Sequence, residues 1–210
     1  MVHRVELFVD PACPYTWIAY RWLSEEVHQR RPIALRLRLM SLHLLNTAPA
    51  PDYRAQLAVA DRLTHLAAGI RAAHGEATFT RFYREFGRTF FTPAHTDIVI
   101  AAREDQRPWA TQLTTAVDAA LHTIGLEPPA DITAADATLR AEHAEAIAAV
   151  GTDVGTPVLR IDGAACFGPV LSAVPRGRDA LDLFDGVRLL TAHRHFFELK
   201  RTRLRELSFH

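Results

Sequence analysis

Apolar and polar positions alternate at the start of the chain, with Val5, Leu7 and Val9 set against Arg4, Glu6 and Phe8. That period of two predicts a strand over 4–9. From Tyr15 the period changes. Tyr15, Ile18, Ala19, Trp22 and Leu23 fall at i, i+3, i+4, i+7 and i+8, one apolar face of a helix whose first turn holds Pro14, where a missing N–H costs nothing. Leu35, Leu37 and Leu39 then alternate with Arg36, Arg38 and Met40. They predict a second strand with one wetter face, completing a βαβ unit.

After Asn46-Thr47-Ala48-Pro49-Ala50-Pro51 the composition turns to Ala, Arg, Thr and His, and no strand is expected before Val158. Phe79, Phe82, Tyr83, Phe86 and Phe90 sit at helical spacing. Trp109, Leu113, Val117, Ala120, Leu121 and Ile124 form a second stripe ended by Gly125, and Leu139, His143, Ile147 and Val150 a third ended by Gly151. Val158–Ile161, Asp162-Gly163 and Ala164–Phe167 then read as a hairpin with a two-residue turn. The order predicts one α/β domain built from 1–48 and 152–210, with an all-helical domain, 49–151, inserted between its halves.

Candidate chemistry lies where the first strand meets the first helix, at Asp10-Pro11-Ala12-Cys13-Pro14. Cys13 is placed at a helix N-terminus. Unpaired backbone N–H groups and the positive end of the helix dipole stabilise a thiolate there, so its sulfur is expected to titrate below the free value of ~8.5. The position three residues on decides the kind of thiol chemistry. A second cysteine would attack the first sulfur and release a bound partner as an intramolecular disulfide, but this chain has Thr16. Its hydroxyl is expected to donate to the Cys13 thiolate. The cycle this allows is monothiol, with Cys13 forming a mixed disulfide that an external thiol resolves.

A lone cysteine is often just a small buried hydrophobe, so a second motif carries weight. Thr156-Pro157 opens the strand at Val158. Proline at a strand start lacks a ladder donor, and X-Pro is the common place for a cis bond. Cys166 would pair across from about Leu159, set back within the ladder, while Cys13 lies at a strand end. A disulfide needs Cα atoms within roughly 7 Å, so Cys166 is expected to be structural.

Gly155-Thr156-Pro157 resembles the cis-proline loop of thioredoxin-like folds, which faces the active cysteine and offers backbone groups to an incoming thiol compound. Asp10 through Ile18, with Arg21-Trp22 and Met40-Ser41-Leu42, is similar to the DsbA-like actinobacterial proteins known as mycothiol-dependent nitroreductases. So are Val154-Gly155-Thr156-Pro157, Phe167-Gly168-Pro169-Val170-Leu171-Ser172, Pro175-Arg176-Gly177 and the run from His195 to Arg203. The resemblance covers nearly the whole chain and is weakest between about 50 and 130. It implies an α/β, thioredoxin-like (DsbA-like) fold with an inserted all-helical domain, and a cytosolic thiol-dependent oxidoreductase. It further implies mycothiol as a low-molecular-weight thiol co-substrate, no tightly bound cofactor and, in some members, reduction of nitro compounds. Cys13 and Thr16 are then the catalytic candidates. Pro14, Tyr15, Trp17, Thr156 and Pro157 are the candidates for binding thiol and substrate, with Tyr15 and Trp17 as the floor of a cleft overhung by the insertion. The better-known members carry Cys-Pro-Trp-Cys where this chain has Cys13-Pro14-Tyr15-Thr16. That departure leaves a monothiol cycle, or none.

Composition narrows the partners. Lys+Arg 24 balances Asp+Glu 24, so nothing in the net charge suggests nucleic acid or an anionic membrane. Two cysteines in 210 residues argue against a secreted disulfide scaffold. The apolar stretch before Asp10 is short and no run approaches the ~18 residues of a membrane helix, so no signal peptide or span is expected, and a cytoplasmic location is. The 11 histidines are scattered, and His193 and His195 do not suit a metal pair. No Gly-rich phosphate loop points to a dinucleotide. Lys200, Arg201, Arg203 and Arg205 read most simply as a solvated helix end, with contact to a partner or substrate as the other reading. Two other readings of the same motifs stand beside the oxidoreductase. One is a transferase or isomerase of the kappa-class kind, in which Thr16 touches a bound thiol; the other is a non-catalytic binding protein. The expected partners are a small thiol and a small organic or disulfide substrate. Exposed aromatics suit a cleft or a homodimer interface equally.

Overall fold

The computed structural model describes residues 1–94 and 107–210. Any strand or helix reading across 95–106 lies outside them. The described chain divides into two compact units, residues 1–9, 13–38 and 145–210 in one, and 10–12 and 39–144 in the other.

The first unit is built on a four-stranded sheet in the order β2-β1-β3-β4. β1 (His3–Val9) runs down its middle, with Val5, Leu7, Phe8 and Val9 fully buried. α1 (Pro14–Arg21) follows and continues through a wider π-type turn, Trp22–Val27, in which His28 N bonds to Leu23 O at 2.8 Å. The apolar face expected from periodicity is present: Ile18, Ala19, Trp22 and Leu23 are fully buried. Thr16, Trp17 and Tyr20 are buried as well, so α1 is enclosed on more than one face. β2 (Ile33–Leu39) flanks β1.

β3 (Val158–Ile161) pairs antiparallel with β1, and β4 (Ala164–Phe167) with β3, Leu159 standing opposite Cys166 as the hairpin spacing requires. The turn is Asp162-Gly163, with φ of 51° and 95°. Two positive φ values make the primed turn that matches strand twist. Asp162 tolerates its share because its carboxylate takes the Arg4 N–H at 2.9 Å and His3 Nδ1 at 2.6 Å. β1-α1-β2 followed by β3-β4 and a last helix, with this strand order, is the thioredoxin-like topology.

The wetter sheet face is closed by charge. Arg38 and Arg160 lay their guanidinium groups on the Phe8 ring, 5.3 and 5.1 Å from its centre. Glu6 and Glu145 pair with both arginines: Glu6 lies 2.9 Å from Arg38 and 3.0 Å from Arg160, and Glu145 lies 2.6 Å from Arg160 and also bonds Arg38. Those contacts, led by Arg160, hold the Glu145 carboxyl below its usual range.

The second unit is helical among the described residues. α2 (Leu42–Leu45) is capped by the Ser41 hydroxyl, which accepts from Leu44 N. α3 (Pro51–Phe90) is broken at Gly75, whose φ of 81° and ψ of 173° leave the helical region. Beyond the break the expected aromatic stripe is core: Phe79, Phe82, Tyr83, Phe86 and Phe90 are all fully buried. α4 (Arg107–Ile124) buries Trp109, Leu113, Ala116, Ala120 and Leu121 and ends at Gly125, whose φ of 71° is the left-handed stop.

α5 (Asp136–Val150) differs from expectation in which face is buried. Leu139 is buried as expected, but the buried line runs through Ala135, Glu142 and Ala146, while His143, Ile147 and Val150 are half-buried. Glu142 draws that face inward, because its carboxylate takes the Leu39 N–H at 2.8 Å and Arg71 Nη1 at 2.7 Å. A buried carboxylate needs such partners.

α6 (Gly177–Thr191) closes the first unit, its Ala180 carbonyl accepting from Trp22 Nε1 at 2.9 Å. The basic tail beyond it is not helical: residues 192–210 form no regular element. No helix among the described residues is long and apolar enough to cross a membrane.

Candidate active site

The loop that delivers Cys13 begins with Asp10. Its Oδ1 accepts from Ala12 N at 3.0 Å, an Asx turn, and its Oδ2 from Leu42 N at 2.8 Å. Burial pushes the Asp10 carboxyl up to about 6; the amides of Leu42 and Ala12 oppose the rise and the charge of Asp61 adds to it. Cys13 itself is the N-cap of α1, with extended φ/ψ of −82° and 120°, and Pro14 is the first helical residue. The Cys13 carbonyl takes the first intrahelical bond, from Trp17 N at 3.3 Å.

The Cys13 side chain is 6% exposed, and its thiol donates to the Thr156 carbonyl at 3.7 Å across 143 residues of chain. Thr156–Pro157 is a cis peptide bond. The Pro157 carbonyl is held by Gly168 N at 2.8 Å, which clamps the loop to the end of β4. Gly155 backs onto Phe167, where a Cβ would lie 3.4 Å from the ring, so the aromatic defines how closely this loop packs. One atom of the loop stands out: Thr156 Oγ1 is buried with no hydrogen-bond partner among the described residues. A buried orphan hydroxyl carries a desolvation cost that a ligand group can offset.

Cys13, Thr156 and Pro157 are thus brought together. Thr16 is fully buried one turn along, but its hydroxyl donates to the Cys13 carbonyl at 2.7 Å, where the spacing aims it at the sulfur. Helical threonine commonly bonds back to the carbonyl of the preceding turn, and the N-cap carbonyl lies within reach. Pro14 and Tyr15 are half-buried. Trp17 is 3% exposed and packs on Tyr20 with ring centres 5.6 Å apart, so it is part of the core rather than the floor of a cleft. The enclosure of α1 on more than one face explains the difference.

Cys166 is not joined to Cys13 in a disulfide. Its thiol donates to the Phe167 carbonyl at 3.2 Å, and burial pushes its pKa up against a smaller opposing bond from Thr191. Asp10, in the loop before Cys13, was given no role in the sequence reading, and Arg203 was read there only as part of the basic tail. Asp10 carried a usable signal, an Asx residue two before the amide it bonds. Arg203, whose guanidinium lies 4.9 Å from the centre of the Tyr15 ring, carried none, being remote in sequence from its partner.

A cysteine at a helix N-cap, facing a cis-proline loop at the head of a β-hairpin in this sheet, is the layout of the thioredoxin-fold class. Within that class, residues 12–201 match the family described as "Mycothiol-dependent nitroreductase Rv2466c", and the chain belongs to this Rv2466c-like family. A relative from Mycobacterium tuberculosis (strain ATCC 25618 / H37Rv), described as "Uncharacterized protein Rv2286c", is 27% identical over 201 residues, covering 94% of this chain and 81% of the relative. A crystal structure of a "putative protein-disulfide isomerase" from Pseudomonas syringae is 16% identical with a TM-score of 0.48, over 88% of this chain and 93% of that one.

Proposed function

We propose that the protein is a mycothiol-dependent oxidoreductase that works through one sulfur, with Cys13 as the nucleophile. The observation that carries this reading is the Cys13 thiol held at the α1 N-terminus against the Thr156 carbonyl, with threonine in place of a resolving cysteine at position 16. With a disulfide acceptor, the Cys13 thiolate attacks one sulfur, the S–S bond breaks, and the other sulfur leaves as a thiolate. Mycothiol then attacks the mixed disulfide and restores Cys13 as a second disulfide forms. With a nitro acceptor, Cys13 and one mycothiol give up two electrons and two protons. The products are the Cys13–mycothiol disulfide, a nitroso compound and water, and a second mycothiol frees Cys13.

The other residues follow from their positions. Pro14 starts α1 directly after Cys13, and the positive end of the helix dipole there favours the thiolate. Thr16 acts as a positioning residue through the Cys13 carbonyl. Thr156 offers its orphan hydroxyl to a hydroxyl or amide of the incoming thiol, which fits a polyol thiol such as mycothiol. Pro157 holds the loop beside the sulfur, and Tyr15 flanks the entrance.

The test is turnover of a disulfide and of a nitroaromatic compound with mycothiol as the reductant. Wild type and Cys166→Ser are expected to turn over alike, and Cys13→Ser or omission of mycothiol to reduce the rate to background. Undiminished turnover by Cys13→Ser would overturn the assignment, and turnover without oxidation of mycothiol would favour a transferase.

A further inference from the structure

The proposed cycle leaves the segment after α6 without a task. Although residues 192–210 form no regular element, the segment is pinned again near position 209. Phe209 is 8% exposed, its carbonyl accepts from Arg21 Nη1 at 2.7 Å, and Ser208 N donates to the Ser172 carbonyl at 2.7 Å. Between Thr191 and these anchors the chain forms an exposed strap rich in cations, with Lys200, Arg201, Arg203 and Arg205 against Glu198 and Glu206. Glu198 already faces Lys200 at 4.0 Å.

Where the strap crosses the first turn of α1, Arg203 lies over Tyr15, its guanidinium carbon 4.9 Å from the ring centre. Among the described residues Arg203 pairs with no carboxylate. A guanidinium held flat on an aromatic face keeps its edge N–H groups free to donate, and this fork suits a carboxylate or similar oxyanion. Tyr15 is two residues from Cys13, so their Cα atoms are at most ~7.6 Å apart. Arg203 thus stands over the same first turn of α1 that begins at Cys13.

We infer that Arg203 is a specificity-determining residue, held over Tyr15 by the strap to favour disulfide acceptors that carry an anionic oxygen group. The inference rests on the proposed nucleophilic role of Cys13. Arginine rather than lysine is the apt residue, because stacking and two-pronged donation are both lost with an ammonium.

The experiment compares two disulfides of opposite charge in a Cys166→Ser background, where Cys13 is the one cysteine. With dianionic 5,5′-dithiobis(2-nitrobenzoate), the Cys13 thiolate attacks a sulfur, the S–S bond breaks and coloured thionitrobenzoate leaves. With cationic cystamine, the same exchange releases cysteamine and is followed by intact mass. The readout is the ratio of the two rates, which a general loss of folding or of thiolate does not move. Arg203→Ala is expected to lower the ratio by about fivefold, the scale of one exposed charge pair, and Arg203→Glu to lower it further. Arg203→Lys is expected to keep part of it, and added salt to shrink the wild-type preference. An unchanged ratio in both Arg203→Ala and Arg203→Glu would overturn the inference while leaving the thiol chemistry intact. No reaction of Cys13 with either disulfide would overturn both.

Discussion

At the scale of single residues, the proposed cycle turns on what stands three positions after Cys13. Thr16 is fully buried and close to cysteine in size, so Thr16→Cys should fit with little repacking. It rebuilds the two-cysteine arrangement. The expected outcome is that a mixed disulfide on Cys13 no longer accumulates, because the new sulfur displaces it; intact mass after exposure to a small disulfide should show oxidised protein without adduct. Asp10 offers a second test. Its carboxyl rises from 3.8 to about 6 on folding, chiefly through burial, so the folded state holds the proton more tightly than the unfolded chain. The sign follows: this group favours folding most below about pH 4, and stability is lost as pH rises through about 6, by about 3 kcal/mol in all. Asn at position 10 cannot ionise. The stability of wild type relative to Asp10→Asn, from urea unfolding, should therefore fall between pH 4 and 7, and a difference that ignores pH would contradict the burial account.

At the scale of elements, the aromatic ladder of α3 is the clearest load on the helical unit. Phe86 is fully buried, with its ring centre 4.9 Å from Phe90 and 6.2 Å from both Phe82 and Phe91. Phe86→Ala should cost about 3–5 kcal/mol, read from the urea midpoint of the full chain. This ladder was legible in the sequence because its spacing is local, and so was the hairpin, where Asp162-Gly163 declares a two-residue turn. The buried face of α5 was not. Glu142 is drawn inward by Leu39 N and Arg71, partners 103 and 71 residues away, and periodicity carries no information about them. The π-type turn after α1 likewise leaves no mark in the apolar pattern, since Trp22 and Leu23 are buried in either geometry.

The whole molecule joins its two key groups across a long stretch of chain. β1 and α1 supply Cys13, and the hairpin supplies Thr156 and Pro157, 143 residues later. That meeting was readable from the two motifs, because a cysteine at a strand-to-helix junction and a proline heading a strand each bear a local signature. What they do at the atomic level was less readable. The spacing of Thr16 from Cys13 does not rank the Cys13 sulfur against the Cys13 carbonyl, which its hydroxyl takes at 2.7 Å. Trp17 looked available to a ligand until the packing around α1 was known. The central claim is that Cys13 alone carries a mycothiol through the cycle. The most direct measurement is intact mass of the wild-type chain after exposure to mycothiol disulfide, repeated with Cys13→Ser and after addition of excess free mycothiol. The account predicts one mycothiol adduct, absent from Cys13→Ser, stable in the absence of thiol and removed by the second addition. An adduct that persists in Cys13→Ser, or one that decays unaided to a Cys13–Cys166 disulfide, would contradict it.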